Sequence, residues 1–257
     1  MAAQDHTPHE ASAPHRHAAP SSGAIDIHHH ILPPFYKPVA QEWLRRFASN
    51  VDDVLAWTPE RSLDAMDRAG VRTAVLSISA PGIDFGRGIE DVALARECND
   101  YSARLARTHA ERFRYFTALP MPDVDASMAE AERGLAMGAV GIGLMSSYAG
   151  RYLGDAQFAP LFDMLNRRKT VIYVHPTMAP CCVGMVPEII DPLIEFPVDT
   201  GRTIASLLWS GTLSRCTNLR FVFSHGGGIA PTVIERIAAM AFIDPAIGSR
   251  APISRGG

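Results

Sequence analysis

Six short runs dense in β-branched and aromatic residues recur along this chain, each followed by a stretch with helical spacing. They are 24–29 (AIDIHH), 71–78 (VRTAVLSI), 112–119 (RFRYFTAL), 140–145 (VGIGLM), 170–174 (TVIYV) and 219–224 (LRFVFS). Most do not alternate apolar with polar residues, which is the pattern of strands buried on both faces of a parallel sheet. Between them helices are expected over 58–69, 89–109, 123–137, 158–168, 200–214 and 231–240. The first has Thr58 placed to cap it, Pro59 at its first position and Gly70 to stop it. In the third, Val124, Met128, Ala131 and Leu135 share one face. Regular β–α alternation requires a parallel sheet covered by helices, either open or closed into a barrel.

Composition narrows the class. A chain of 257 residues with 47% hydrophobic content can bury a core of its own, as one large domain. The net charge of −3 gives no electrostatic ground for a nucleic-acid partner. No apolar stretch approaches the roughly 20 residues that span a bilayer. The cysteines Cys98, Cys181, Cys182 and Cys216 form no C-x-x-C pair, so reduced thiols in a cytoplasmic protein are expected. Residues 1–23 are rich in Ala, Pro, Ser and His, including His6, His9, His15 and His17. They lack the apolar segment of a signal peptide and are expected to form a disordered tail ahead of a domain over 24–257.

The chemistry lies in the remaining histidines. His28, His29, His30, His175 and His225 all fall at or just past the C-terminal end of an expected strand, and only His109 sits elsewhere, in a polar helix end read as surface. In a parallel barrel those strand ends form the active-site face, and in an open sheet they also hold the ligand. Side chains alternate along a strand, so His28 and His30 should point one way and His29 the other. Two imidazoles so placed can share one ion, imidazole suits zinc and its divalent neighbours, and His175 is the natural third ligand. Any one strand-end histidine is more often a plain hydrogen-bonding residue. Three strands ending in histidine, each breaking into Pro or Gly, are not expected by chance. The glycines 226–228 after His225 permit positive φ and close backbone approach.

These motifs resemble a known family. D-I-H-H-H-I-L-P at 26–33 is similar to the D-x-H-x-H-x-x-P opening of the amidohydrolase-related group. Y-V-H-P-T at 173–177 and F-S-H-G-G-G at 223–228 resemble its later metal and catalytic histidine motifs. The stretch 195–228 is similar to the branch containing aminocarboxymuconate semialdehyde decarboxylase, and G-R-Y-L-G-D at 150–155 with H-P-T-x-x-P-C-C at 175–182 resembles 6-methylsalicylate decarboxylase-like members. The resemblance implies a (β/α)8 TIM-type barrel with one divalent metal, usually zinc. It makes His28, His30 and His175 the ligands and His225 the general acid/base. Relatives with two metals use a lysine at the end of strand four. Here that region reads VGIGLMSS, which favours one metal.

The resemblance further implies a metal-dependent decarboxylase of a small aromatic or unsaturated carboxylic acid, 6-methylsalicylate-like, with no redox cofactor. A metal-dependent hydrolase of an ester, lactone or amide would use the same parts. The family also carries an aspartate in a G-S/T-D-x-P context at the end of strand eight. That motif does not occur in this sequence, whose last aspartate is Asp244. An apparently incomplete barrel of about six β/α units, without strands seven and eight, is therefore expected, and with it a third reading, an inactive truncated remnant. A homo-oligomer is compatible with all three.

Overall fold

Each apolar run becomes a strand. In chain order the strands are β1 (Ala24–Ile31), β2 (Val71–Ile78), β3 (Phe113–Ala118), β4 (Gly141–Met145), β5 (Ser147–Tyr148), β6 (Arg151–Tyr152), β7 (Val171–His175) and β8 (Arg220–Phe223). The computed structural model describes residues 23–48 and 50–243. The tail expected over 1–23, with His6, His9, His15 and His17, lies outside the described residues except for Gly23, as does Asp244. Six strands form one sheet in the order β1-β2-β3-β4-β7-β8, every neighbour pair parallel, while β5 and β6 make a separate antiparallel ribbon.

The sheet is curled. Five strand spacings would separate β1 from β8 by roughly 24 Å in a flat sheet. Yet the ring of His28 on β1 lies 4.8 Å, centroid to centroid, from that of His225, just beyond β8. The result is an α/β half-barrel whose strand ends face one another across the concave side.

The helices are α1 (Lys37–Phe47), α2 (Val51–Leu55), α3 (Pro59–Ala69), α4 (Ile89–Thr108), α5 (Val124–Ala136), α6 (Ala159–Arg167), α7 (Pro192–Trp209), α8 (Thr212–Arg215) and α9 (Ala230–Ile243). Local chemistry sets their ends. Thr58 Oγ1 accepts the Arg61 N–H at 3.3 Å and Gly70 stops α3 at φ 64°, while Asp123 Oδ1 accepts the Ala126 N–H at 3.0 Å to start α5. The main cores lie between sheet and helices. One gathers Leu63, Met66, Leu76, Leu94, Cys98 and Tyr115, the other Ile142, Leu144, Phe158, Phe162, Leu165 and Leu207. Each such side chain contributes roughly 1.5–3 kcal/mol on burial. Inside the curl, Phe116 stacks on Tyr173 at 5.1 Å, beside Val75.

Three details differ from expectation. Helices α1 and α2 form over 37–47 and 51–55, where no element is expected. The helix expected over 200–214 starts at Pro192 instead, runs through Pro197 and ends at Trp209, with α8 following Gly211 at φ 74°. His109, expected at the surface, is half-buried at the end of α4, its ring 5.6 Å from that of Phe113. No helix among the described residues is long and apolar enough to cross a membrane.

Candidate metal and active site

The strand ends bring four imidazoles together. His28 Nε2 is 2.9 Å from His30 Nε2, and the ring centroids of His30 and His175 are 4.7 Å apart. His28 stands 5.4 Å from His175, and His175 5.3 Å from His225. One ring nitrogen from each of His28, His175 and His225 lies within 4.8 Å of the others. His29 turns away, its Nδ1 2.9 Å from Asp26 Oδ2 and its Nε2 2.9 Å from Ser62 Oγ on α3. The split survives an irregular register between Asp26 and His29, where β1 shifts against β2.

Outer partners orient the rings. The carbonyl of Pro176 can only accept, so His175 Nδ1, at 2.9 Å, carries the proton and its Nε2 keeps a lone pair. His30 Nδ1 meets Ser77 Oγ at 3.1 Å and His225 Nδ1 meets Ser224 Oγ at 3.1 Å. Such contacts to the far nitrogen fix ring orientation at metal sites. Burial, and then the neighbouring His28 and His225 rings, push His175 down to about 3. Burial also lowers His30 well below the ordinary range, followed by the effect of His175, and it lowers His28, followed by that of His225. His225 is the exposed member, yet its partial burial lowers it too. Each shift favours the neutral ring, the form that ligates metal. Several imidazoles with ring nitrogens within a few ångströms, two of them at 2.9 Å, have the chemistry of a donor set for a divalent ion.

His225 sits in the left-handed region at φ 51°, and Gly226, Gly227 and Gly228 follow at φ 64°, 82° and 61°. The reason for glycine is clearest at 228, where an added Cβ would lie 2.2 Å from the Pro197 carbonyl oxygen. That carbonyl, inside α7, accepts the Ile229 N–H at 3.0 Å, tying the histidine loop to α7.

A supporting carboxylate was missed from the sequence. Asp199 on α7 is fully buried and accepts hydrogen bonds from Ser146 Oγ, from Tyr152 OH at 2.7 Å and from Thr177 Oγ1 at 3.3 Å. Ser146 in turn donates its N–H to the His175 carbonyl at 2.8 Å, and the Thr177 N–H donates to Ser146 Oγ at 2.8 Å. The network clamps the rim of β4 and β7 beside His175. Its one signal in the sequence was an acidic residue directly after the apolar run FPV at 196–198. The vicinal cysteines also lie near this network, with Cys181 Sγ 3.1 Å from Cys182 Sγ and Arg202 donating to Cys182 Sγ at 3.6 Å.

A curled parallel sheet with ligand-type side chains on its C-terminal rim defines the class of α/β proteins whose sites are built from strand ends. Within that class the chain belongs to the amidohydrolase family, whose profile matches residues 25–244. It is 37% identical over 235 residues to decarboxylase yanB of Aspergillus niger, covering 85% of this chain and 62% of that one. It is 33% identical over 228 residues to a 6-methylsalicylic acid decarboxylase of Penicillium expansum, covering 86% of this chain and 69% of the other. This chain therefore spans about two thirds of the length of these relatives. Its fold matches the structure of a dihydroxybenzoic acid decarboxylase from a Polaromonas species, with bound manganese and the inhibitor 2-nitroresorcinol. That match has a TM-score of 0.74 at 23% identity, over 83% of this chain and 68% of the other.

Proposed function

We propose that this protein is a metal-dependent, non-oxidative decarboxylase of a small aromatic or unsaturated carboxylic acid, 6-methylsalicylate-like. The observation that carries the reading is the convergence of His28, His30, His175 and His225 on one rim, in a chain 33–37% identical to proteins named as decarboxylases. The six-stranded half-barrel is read as part of a (β/α)8 barrel, and the compartment as the cytoplasm, in keeping with free thiols at all four cysteines.

His28, His30 and His175 are assigned as the ligands of one divalent ion. Three imidazoles suit zinc, and manganese, present in the Polaromonas protein, is the alternative. When bound, the ion supplies Lewis acidity for negative charge on the substrate's oxygens. His225 stays outside the ligand set because it occupies the exposed loop beyond β8, where a substrate has access to it. Neutral at rest, it takes up a proton from solvent once substrate is bound and passes that proton to the ring carbon bearing the carboxylate. The bond to the carboxyl carbon then breaks, its electron pair restores the ring, and carbon dioxide leaves. No electrons are exchanged with a cofactor. The Pro176 carbonyl and the Asp199 network keep His175 fixed through this step.

The test is carbon dioxide release from 6-methylsalicylate and related acids by zinc- or manganese-loaded protein, run beside ester and lactone hydrolysis. Decarboxylation without ester or lactone cleavage is expected. Hydrolysis without carbon dioxide release would overturn the reading in favour of a hydrolase.

A further inference from the structure

A cavity of about 390 Å³ opens between α1, α2 and the C-terminal rim of the sheet. Its wall includes Trp43, Leu44, Phe47, Val54 and Trp57, and it ends at His30, one of the clustered imidazoles. It is thus continuous with the candidate metal site, and most of its wall is the helical excursion that the sequence pattern did not announce. Among the described residues no Lys or Arg lines it. The charged side chain in its wall is Asp53, whose carboxylate is largely exposed and 3.3 Å from Arg61.

We propose that this cavity is a subsite for an uncharged apolar substituent, an alkyl chain or a second aryl ring, on the aromatic acid. This rests on the reading of the site as a decarboxylase and narrows it to a substrate class. A carboxylate moved into an apolar cavity without a cationic partner loses hydration that nothing replaces. The acid group must then lie at the imidazole cluster, leaving the opposite end of the substrate to the indole and aliphatic wall. A space of 390 Å³ falls within the usual range for sites that enclose most of a ligand larger than a bare ring. The cavity therefore selects acids with a single negative charge and a greasy arm, and disfavours acids with a second charge at the far end.

The test uses phenols, which keep the ring and lack the scissile carboxylate, so binding does not depend on turnover. Trp43 and Trp57 in the wall report occupancy by fluorescence. Phenol, 3-propylphenol and 3-pentylphenol are titrated into the full protein. Affinity should rise roughly fourfold per added methylene. Leu44→Trp, which fills the cavity, should weaken 3-pentylphenol at least tenfold and leave phenol within twofold. Equal affinity along the alkyl series, or a Leu44→Trp variant that binds 3-pentylphenol as tightly as the unsubstituted protein, would overturn the proposal. A protein that binds the alkyl series as expected and releases no carbon dioxide keeps the subsite and loses the decarboxylase reading.

Discussion

His175 combines almost complete burial with a carbonyl-fixed ring, and its acid–base behaviour follows. Its ordinary value of 6.5 falls to about 3. Above pH 6.5 the ring is neutral in both folded and unfolded chains and gives no slope. Below that, the unfolded chain takes up a proton that the folded chain refuses. Stability is lost as pH falls from about 6.5 towards about 3, by at most roughly 1.4 kcal/mol per pH unit for this one ring. The lowered His28, His30 and His225 act in the same direction. The urea midpoint of metal-free protein should therefore drop between pH 7 and pH 5, and His175→Asn should flatten the drop. An unchanged slope in the variant would remove His175 as its source. For His225, substitution by Asn should leave bound metal unchanged, as read by elemental analysis, and lower turnover at least about 100-fold. Turnover within a few-fold of the unsubstituted protein would take His225 out of the mechanism. The convergence of His28, His30 and His175 was legible because strand alternation and chain order are local facts. Asp199 was not, since its partners Ser146, Tyr152 and Thr177 lie on other elements and meet it only after folding.

Two kinds of element escaped the sequence pattern, for identifiable reasons. In α1, Ala40, Leu44 and Phe47 do form a buried stripe at helical spacing, but prolines at 33, 34 and 38 punctuate its start and suggest a loop. In α7, Pro197 interrupts the pattern, so the expected start falls three residues after it, although the helix begins at Pro192. Strands β2, β3, β4 and β7 were legible because burial on both faces leaves little room for polar residues, and β1 and β8 share their apolar composition while remaining partly exposed. The β5–β6 ribbon is too short for any period. The tie between α7 and the histidine rim gives two stability predictions. Gly228→Ala must hold an alanine at φ 61° and place its Cβ 2.2 Å from the Pro197 oxygen. A loss of at least about 1–2 kcal/mol is expected, whereas Gly150→Ala, at φ 73° in open space, should show the backbone penalty alone. Asp199→Ala strands buried Ser146 and part-buried Tyr152 hydroxyls, and should cost about 3 kcal/mol or more by chemical denaturation. It should also weaken zinc retention, because Ser146 holds the His175 carbonyl.

At the scale of the molecule, the sheet has two edges among the described residues, since β1 pairs only with β2 and β8 only with β7. On β1, Ile25 is 66% and Ile27 is 43% exposed. Strand content and order were readable from sequence, whereas curvature was not. Curl arises from twist and from packing across the concave face, where Phe116, Tyr173 and the histidines meet, and no local pattern encodes that. The prediction at this scale concerns residues 1–257 prepared on their own. Unpaired N–H and C=O groups along β1 and β8 offer a template to another chain. Each exposed large apolar side chain also forgoes roughly 1.5–3 kcal/mol of burial, against a typical stability of about 5–15 kcal/mol. Such a preparation is expected to self-associate. Sedimentation should give a mass that grows with concentration, and Ile25→Lys with Ile27→Lys should shift it back towards the monomer by charging the edge. A monomeric, stable preparation would show that the two edges are shielded within the chain itself.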